Sequence, residues 1–115
     1  MKKLLIIITL TLAANISFGQ KAKSDTLIVQ TKIYCDHCNE CESCRPRIEQ
    51  ELRFTKGVKF SEVNAANQTI TVIYNPAKTN PEAIRKAIAN TGFDADDVKA
   101  GPEAVAKLDG CCKKQ

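Results

Sequence analysis

The chain has 115 residues, with 17 Lys and Arg against 13 Asp and Glu, six cysteines and no tryptophan. A net charge of +4 is too mild for nucleic-acid recognition, which calls for a clustered basic face, and an aromatic content of 5% leaves no stacking platform for bases or sugars. The length fits one domain with one modest core.

In chain order, residues 1–19 (MKKLLIIITLTLAANISFG) have the layout of a secretory signal peptide. Lys2 and Lys3 form its charged region, Leu4 to Ala14 its apolar run, and Ser17 and Gly19 suit cleavage before Gln20. The run is well short of the roughly 18–20 apolar residues that a membrane span needs, and no cysteine near the cleavage point offers a lipid anchor. A secreted, periplasmic protein without a membrane anchor after cleavage is therefore expected. Thr26 to Tyr34 reads as a strand, with Leu27, Val29, Thr31 and Ile33 alternating onto one face. A cysteine-rich loop follows, and then a helix from about Ser43 to Lys56, with Ile48 and Leu52 on its buried side and Gly57 as its stop. Val58 to Ala65 and Gln68 to Asn75 read as two strands around a turn at Asn67-Gln68, with Ile70, Val72 and Tyr74 on one face. Thr79 and Glu82 fit a capping box for a second helix with an Ile84, Ala87, Ile88 stripe and Gly92 as its left-handed cap. Phe93 to Lys99 reads as a fourth, acid-rich strand, with Asp94, Asp96 and Asp97 as a solvated face. Pro102 to Leu108 reads as a last short helix before the tail DGCCKKQ. The order β-α-β-β-α-β predicts an α+β, ferredoxin-like two-layer sandwich with a short C-terminal tail.

The chemistry is concentrated in thiols. Cys35, Cys38, Cys41 and Cys44 recur every third residue, the single histidine is His37, and Cys111 and Cys112 are adjacent near the C-terminus. An even cysteine count in an exported chain points to disulfides. This distribution argues against a structural framework, because bridges within Cys35 to Cys44 close tiny loops and constrain the unfolded chain little. Cys41-Glu42-Ser43-Cys44 sits where a loop enters a helix, so both sulfurs share one small site and the helix N-terminus favours thiolate at Cys44. Thiolates are soft donors that select Cu(I), Zn(II), Cd(II) or Hg(II) over hard ions. The run nearly imitates a bacterial ferredoxin pattern, but its last spacing is one residue short and no second cysteine group exists. The enzyme alternative is a thiol–disulfide oxidoreductase or redox-sensing protein, since C-x-x-C at a helix start is also redox machinery. Against it, the element order is not thioredoxin-like and no tryptophan precedes either motif.

Several motifs together resemble the heavy-metal-associated domain family: the C-x-x-C-x-x-x-I of Cys41, Cys44 and Ile48, Lys56-Gly57-Val58, ITVIYNP at Ile70 to Pro76, IRKAI at Ile84 to Ile88, and Gly92-Phe93-Asp94-Ala95. That family includes copper chaperones, domains of metal-pumping ATPases and periplasmic mercury-binding proteins. The resemblance covers about Leu27 to Asp97, within a domain expected over residues 20–100 and followed by a C-terminal extension, 101–115, carrying a cysteine pair. It implies Cys41 and Cys44 as the ligands of a soft ion, Phe93 beside the metal loop, and no bond-breaking activity. The implied partner is a membrane metal transporter or metal-pumping ATPase, served by a carrier that is monomeric without metal. Asn39 stands where the family has methionine, which weakens an inference to copper specifically, and Ser61 replaces a usual apolar strand residue. Cys35, Cys38, Cys111 and Cys112 fall outside the basic motif and read as further ligands, local disulfides or passive thiols. His37 reads equally as a solvated loop residue or as a ligand suited to Zn(II) or Cu(II). Lengths allow the segment Pro102 to Leu108 and the tail to return Cys111 and Cys112 to the metal loop.

Overall fold

The structure, a computed structural model, describes residues 23–34 and 44–113. The leader, with its proposed cleavage point, and the loop carrying Cys35, His37, Cys38, Asn39 and Cys41 lie outside the described residues. In chain order the elements are β1 (Asp25–Gln30), α1 (Cys44–Phe54), β2 (Val58–Asn64), β3 (Thr69–Tyr74), α2 (Pro81–Asn90), α3 (Pro102–Ala106) and a single 3-10 turn, Gly110–Cys112. No helix among the described residues is long and apolar enough to cross a membrane.

The strands form one antiparallel sheet in the order β1-β3-β2. Val29 stands opposite Ile70 and Leu27 opposite Val72, while Val63 and Ser61 meet the same two residues from the other edge. Directly opposed residues share a face, so this register builds a continuous apolar surface from Leu27, Val29, Val63, Ile70 and Val72. Ile48 and Leu52 of α1 and Ile84, Ala87 and Ile88 of α2 close over it, all buried. The two-layer α+β arrangement expected of the ferredoxin-like class is thus formed. Alternation in β3 is strict, and Ile70, Val72 and Tyr74 point inward as their spacing predicts. Burial pushes the Tyr74 phenol above its ordinary pKa, and the neighbouring Asp25 carboxylate pushes it further.

The fourth strand expected at Phe93 to Lys99 does not form. A lone bridge between Ala95 and Val98 stands in its place. The acids that made the segment look solvated turn the chain instead, since Asp side chains compete for nearby backbone groups. Asp94 accepts from the Ala100 N–H at 3.0 Å. Asp96 adopts a left-handed φ of 53° and caps the β1 edge twice. Its N–H donates to the Gln30 carbonyl at 2.8 Å, and its Oδ1 accepts from the Gln30 N–H at 2.8 Å. One aspartate thus reproduces a pair of ladder hydrogen bonds. Arg85 of α2 donates to its other oxygen at 2.8 Å, and that hydrogen bond raises the Arg85 pKa. Asp94 and Asp96 are structural residues rather than members of a solvated face.

The α2 cap also departs from expectation. Asn80, not Thr79, is the N-cap, and its side chain accepts from the Ala83 N–H at 2.9 Å. Pro81 holds the preceding residue extended, which fixes Asn80 just outside the helix and leaves the proline in the first turn.

Gly92 sets the path of the C-terminal extension. Its φ is +103°, and a Cβ there would lie 2.8 Å from Leu108 Cγ and 2.9 Å from the Ala104 carbonyl oxygen. The absence of a side chain lets α3 and the buried Leu108 press onto the end of α2. Gly92→Ala is expected to destabilise the fold by about 2 kcal/mol or more, combining left-handed backbone strain with displacement of Leu108. Urea denaturation measures the loss. A free-thiol assay should show poorer bridging of the tail in the same variant.

Candidate metal centre

Cys44 is the first residue of α1, as the motif predicts, and its side chain is fully buried. It is bonded to Cys112 in a disulfide across a sequence separation of 68, with the Cα atoms 6.3 Å apart. The bridge corrects the expectation that these thiols build no structural framework. That expectation weighed only short bridges inside the cysteine run, whereas this one spans nearly the whole domain. The signal that could have found it was the returning extension itself, which sequence lengths had allowed to reach the loop.

The return path is specified step by step. After α3, Leu108 docks under Gly92, and the chain then makes the Gly110–Cys112 turn, in which the Cys112 N–H donates to the Asp109 carbonyl at 2.9 Å. Cys112 ends with 1% of its surface exposed. Cys111 shares this turn, but its side chain lies outside the described residues. Phe93, which the family resemblance placed beside the metal loop, is 2% exposed. It lines a cleft of about 190 Å³ together with Cys112, Leu108, Lys32, Tyr34 and Lys113.

The described residues thus unite Cys44, Cys112 and Phe93. They hold no group of three or more His, Cys, Asp or Glu side chains arranged for a metal ion. Cys35, His37, Cys38, Asn39 and Cys41 lie outside them.

Sequence reading missed Gln68. It lies at a left-handed φ of 56° in the β2–β3 turn, and its carbonyl accepts from the Thr31 N–H at 2.9 Å. Its side-chain oxygen also accepts from the Ile33 N–H. Both bonds fix the chain where it leaves β1, directly before the cysteine run. The turn position was legible in the sequence, but a glutamine side chain reaching the segment that follows β1 has no local pattern. On the α1 side, Glu49 accepts from Arg45 at 2.9 Å and from the Val63 N–H at 3.3 Å, tying the helix to the edge strand β2. Arg45 is engaged in this local pair with Glu49. The half-buried Ser61 leaves a groove between α1 and β2, bordered by Glu49, Arg53 and Phe60.

The bonding state decides the chemistry of the centre. Metal ligation requires thiolate sulfur, and a disulfide offers none. In this form Cys44 therefore holds no metal ion as a thiolate, and a two-electron reduction must precede any such role.

Residues 39–94 match the family model described as the heavy-metal-associated domain. A copper-exporting P-type ATPase of Staphylococcus epidermidis is 41% identical over 56 residues, covering 49% of this chain and 7% of the relative. The chain therefore spans only a small fraction of the length of the curated relatives it matches. Among solved structures, a copper form of CopA from Bacillus subtilis is 32% identical with a TM-score of 0.51, covering 64% of this chain and 90% of that one. A CopZ metallochaperone is 25% identical with a TM-score of 0.53, covering 62% and 98%. The family match stops at Asp94, ahead of both C-terminal cysteines.

Proposed function

Because the chain belongs to the heavy-metal-associated domain family, we propose that it carries a soft metal ion, with Cys41 and Cys44 as the principal ligands. Cu(I) is the first candidate cargo, since the matching relatives are named for copper, and Hg(II), Zn(II) and Cd(II) share its preference for sulfur. The observation that carries this reading is the position of Cys44. It heads α1 in a chain whose sequence matches the family model over residues 39–94.

The ion is cargo rather than a cofactor. Transfer runs by thiolate exchange, in which a partner's sulfur enters the coordination sphere as one of the chain's sulfurs leaves. A membrane metal-transporting ATPase is the proposed recipient or donor, because domains of such pumps share this family. The carrier itself is monomeric without metal and performs no bond-breaking step. Export to an oxidising compartment is part of the proposal, with residues 1–19 as the leader, 20–100 as the domain and 101–115 as its extension. The hydrophobic leader and the disulfide both support it, since disulfides persist where thiols are not kept reduced. The mass of the protein recovered from the periplasm tests cleavage before Gln20.

One observation favours the redox alternative, namely the Cys44–Cys112 bridge itself. Two assays on the reduced chain separate the readings. Competition with a Cu(I)-selective chelator is expected to show one tightly held ion per chain, and insulin reduction is expected to stay at the uncatalysed rate. Rapid insulin reduction without metal retention would reverse the assignment.

A further inference from the structure

Cys112 lies outside the family match, which ends at residue 94, yet its sulfur is bonded to the cysteine that begins α1. Its delivery there depends on α3, the side-chain-free Gly92, the buried Leu108 and the closing 3-10 turn. Each of these steps serves to bring one thiol from the extension to the proposed metal centre. Resting on the reading of Cys44 as a ligand, we infer that Cys112 is a metal ligand of the reduced protein. The Cys44–Cys112 pair alternates between a disulfide that refuses metal and a dithiolate that holds a soft ion.

The chemistry balances with a dithiol reductant. One of its thiolates attacks the sulfur of Cys112, a residue that lines the cleft beside Phe93. The S–S bond breaks, and its electron pair leaves on Cys44 Sγ, which takes up a proton. The second thiol of the reductant then displaces Cys112 from the mixed disulfide. Two electrons and two protons pass to the chain, and the reductant departs as a disulfide. A soft ion next replaces the two thiol protons, with no further electron transfer. Oxidation by a disulfide-bearing partner runs the exchange backwards and expels the ion. The bond joins the start of α1 to the C-terminal extension, so the pair does not depend on the C-x-x-C spacing and is a ligand set of this chain's own.

A full-length chain retaining only these two thiols tests the inference, with Cys35→Ser, Cys38→Ser, Cys41→Ser and Cys111→Ser combined. Reduced with a phosphine and kept anaerobic, it is titrated with Hg(II) and with Cu(I). Ultraviolet sulfur-to-metal charge-transfer bands and X-ray absorption follow binding. The expected result is one ion per chain on two sulfurs, lost on reoxidation and weakened at least about a hundredfold by adding Cys112→Ser, a loss at the upper end of that for outer-sphere supports. Absence of binding, or binding indifferent to Cys112→Ser, overturns the inference. A second measurement on the unmutated chain guards against misfolding of the variant. Cys112 should be alkylated by iodoacetamide in the reduced apo protein and protected once Cu(I) is loaded, and equal labelling in both states rejects its role as a ligand. The unmutated reduced chain is titrated in parallel. If it holds metal while the two-thiol chain does not, the Cys112 inference alone is lost. If it holds none, the metal-carrier reading fails as well.

Discussion

Replacing Cys41 and Cys44 together with serine is expected to weaken Cu(I) or Hg(II) binding by the reduced chain by well over a hundredfold while the fold survives. Loss of mere outer-sphere support for a ligand costs about 10- to 100-fold, so removal of both principal sulfurs must cost more. The fold should persist on the rest of its apolar core, since Val29, Ile48, Leu52, Ile70, Val72, Ile84 and Ile88 are buried between the layers and Cys44 is one small member of that cluster. Cys44→Ser also removes the disulfide, so the double variant is compared with the unmutated chain after full reduction, when neither protein is bridged. Affinity measured by chelator competition should fall steeply in the double variant. Full affinity in the double variant, or unfolding of the native chain on chelation of its metal, would place the site elsewhere.

Reduction of the Cys44–Cys112 bridge should produce the largest change in stability. The closed loop corresponds to a sequence separation of 68, and chain entropy for such a loop stabilises the oxidised fold by about 4 kcal/mol. For a domain of this size that is a fall in Tm of roughly 15–30 °C. Total stabilities of small domains run about 5–15 kcal/mol, so the reduced protein is expected to remain folded but with little in reserve. Urea denaturation of matched oxidised and reduced samples measures the difference. Coincident curves would mean that the bridge is absent in solution. A reduced, apo carrier of low stability would also regain stability on binding its ion, because a ligand that binds only the folded state adds to its free energy.

The core was legible in the sequence because burial here follows simple periods. Alternation in Ile70, Val72 and Tyr74 and the four-residue step from Ile48 to Leu52 each mark a buried face, and glycines at φ +86° and +103° punctuate the helices as expected. The segment after Gly92 was less legible. Its alternating apolar and acidic residues satisfy a strand pattern, yet Asp96 serves the β1 edge with its own backbone and side chain. No periodicity encodes a single residue taking the place of a strand. Thr79 and Asn80 are both good caps by composition, and the extended conformation demanded before Pro81 decided between them. At the candidate site, the C-x-x-C spacing and the position of Cys44 at the start of α1 were local and therefore readable. The pairing of Cys44 with Cys112 depends on how α3 leaves Gly92, which is tertiary information. Gln68 escaped notice for the same reason, since its partners Thr31 and Ile33 are more than thirty residues away in sequence.

Carriage of a soft metal ion on cysteine sulfur is the property on which the proposed function stands. The most direct test is the metal content and coordination of the unmutated protein purified anaerobically, by elemental analysis and X-ray absorption on the same sample. A soft ion, copper foremost, is expected bound through sulfur in the fraction whose Cys44–Cys112 bridge is reduced, and none in the bridged fraction. Metal held through nitrogen or oxygen, or the same content in the bridged and reduced fractions, would contradict it.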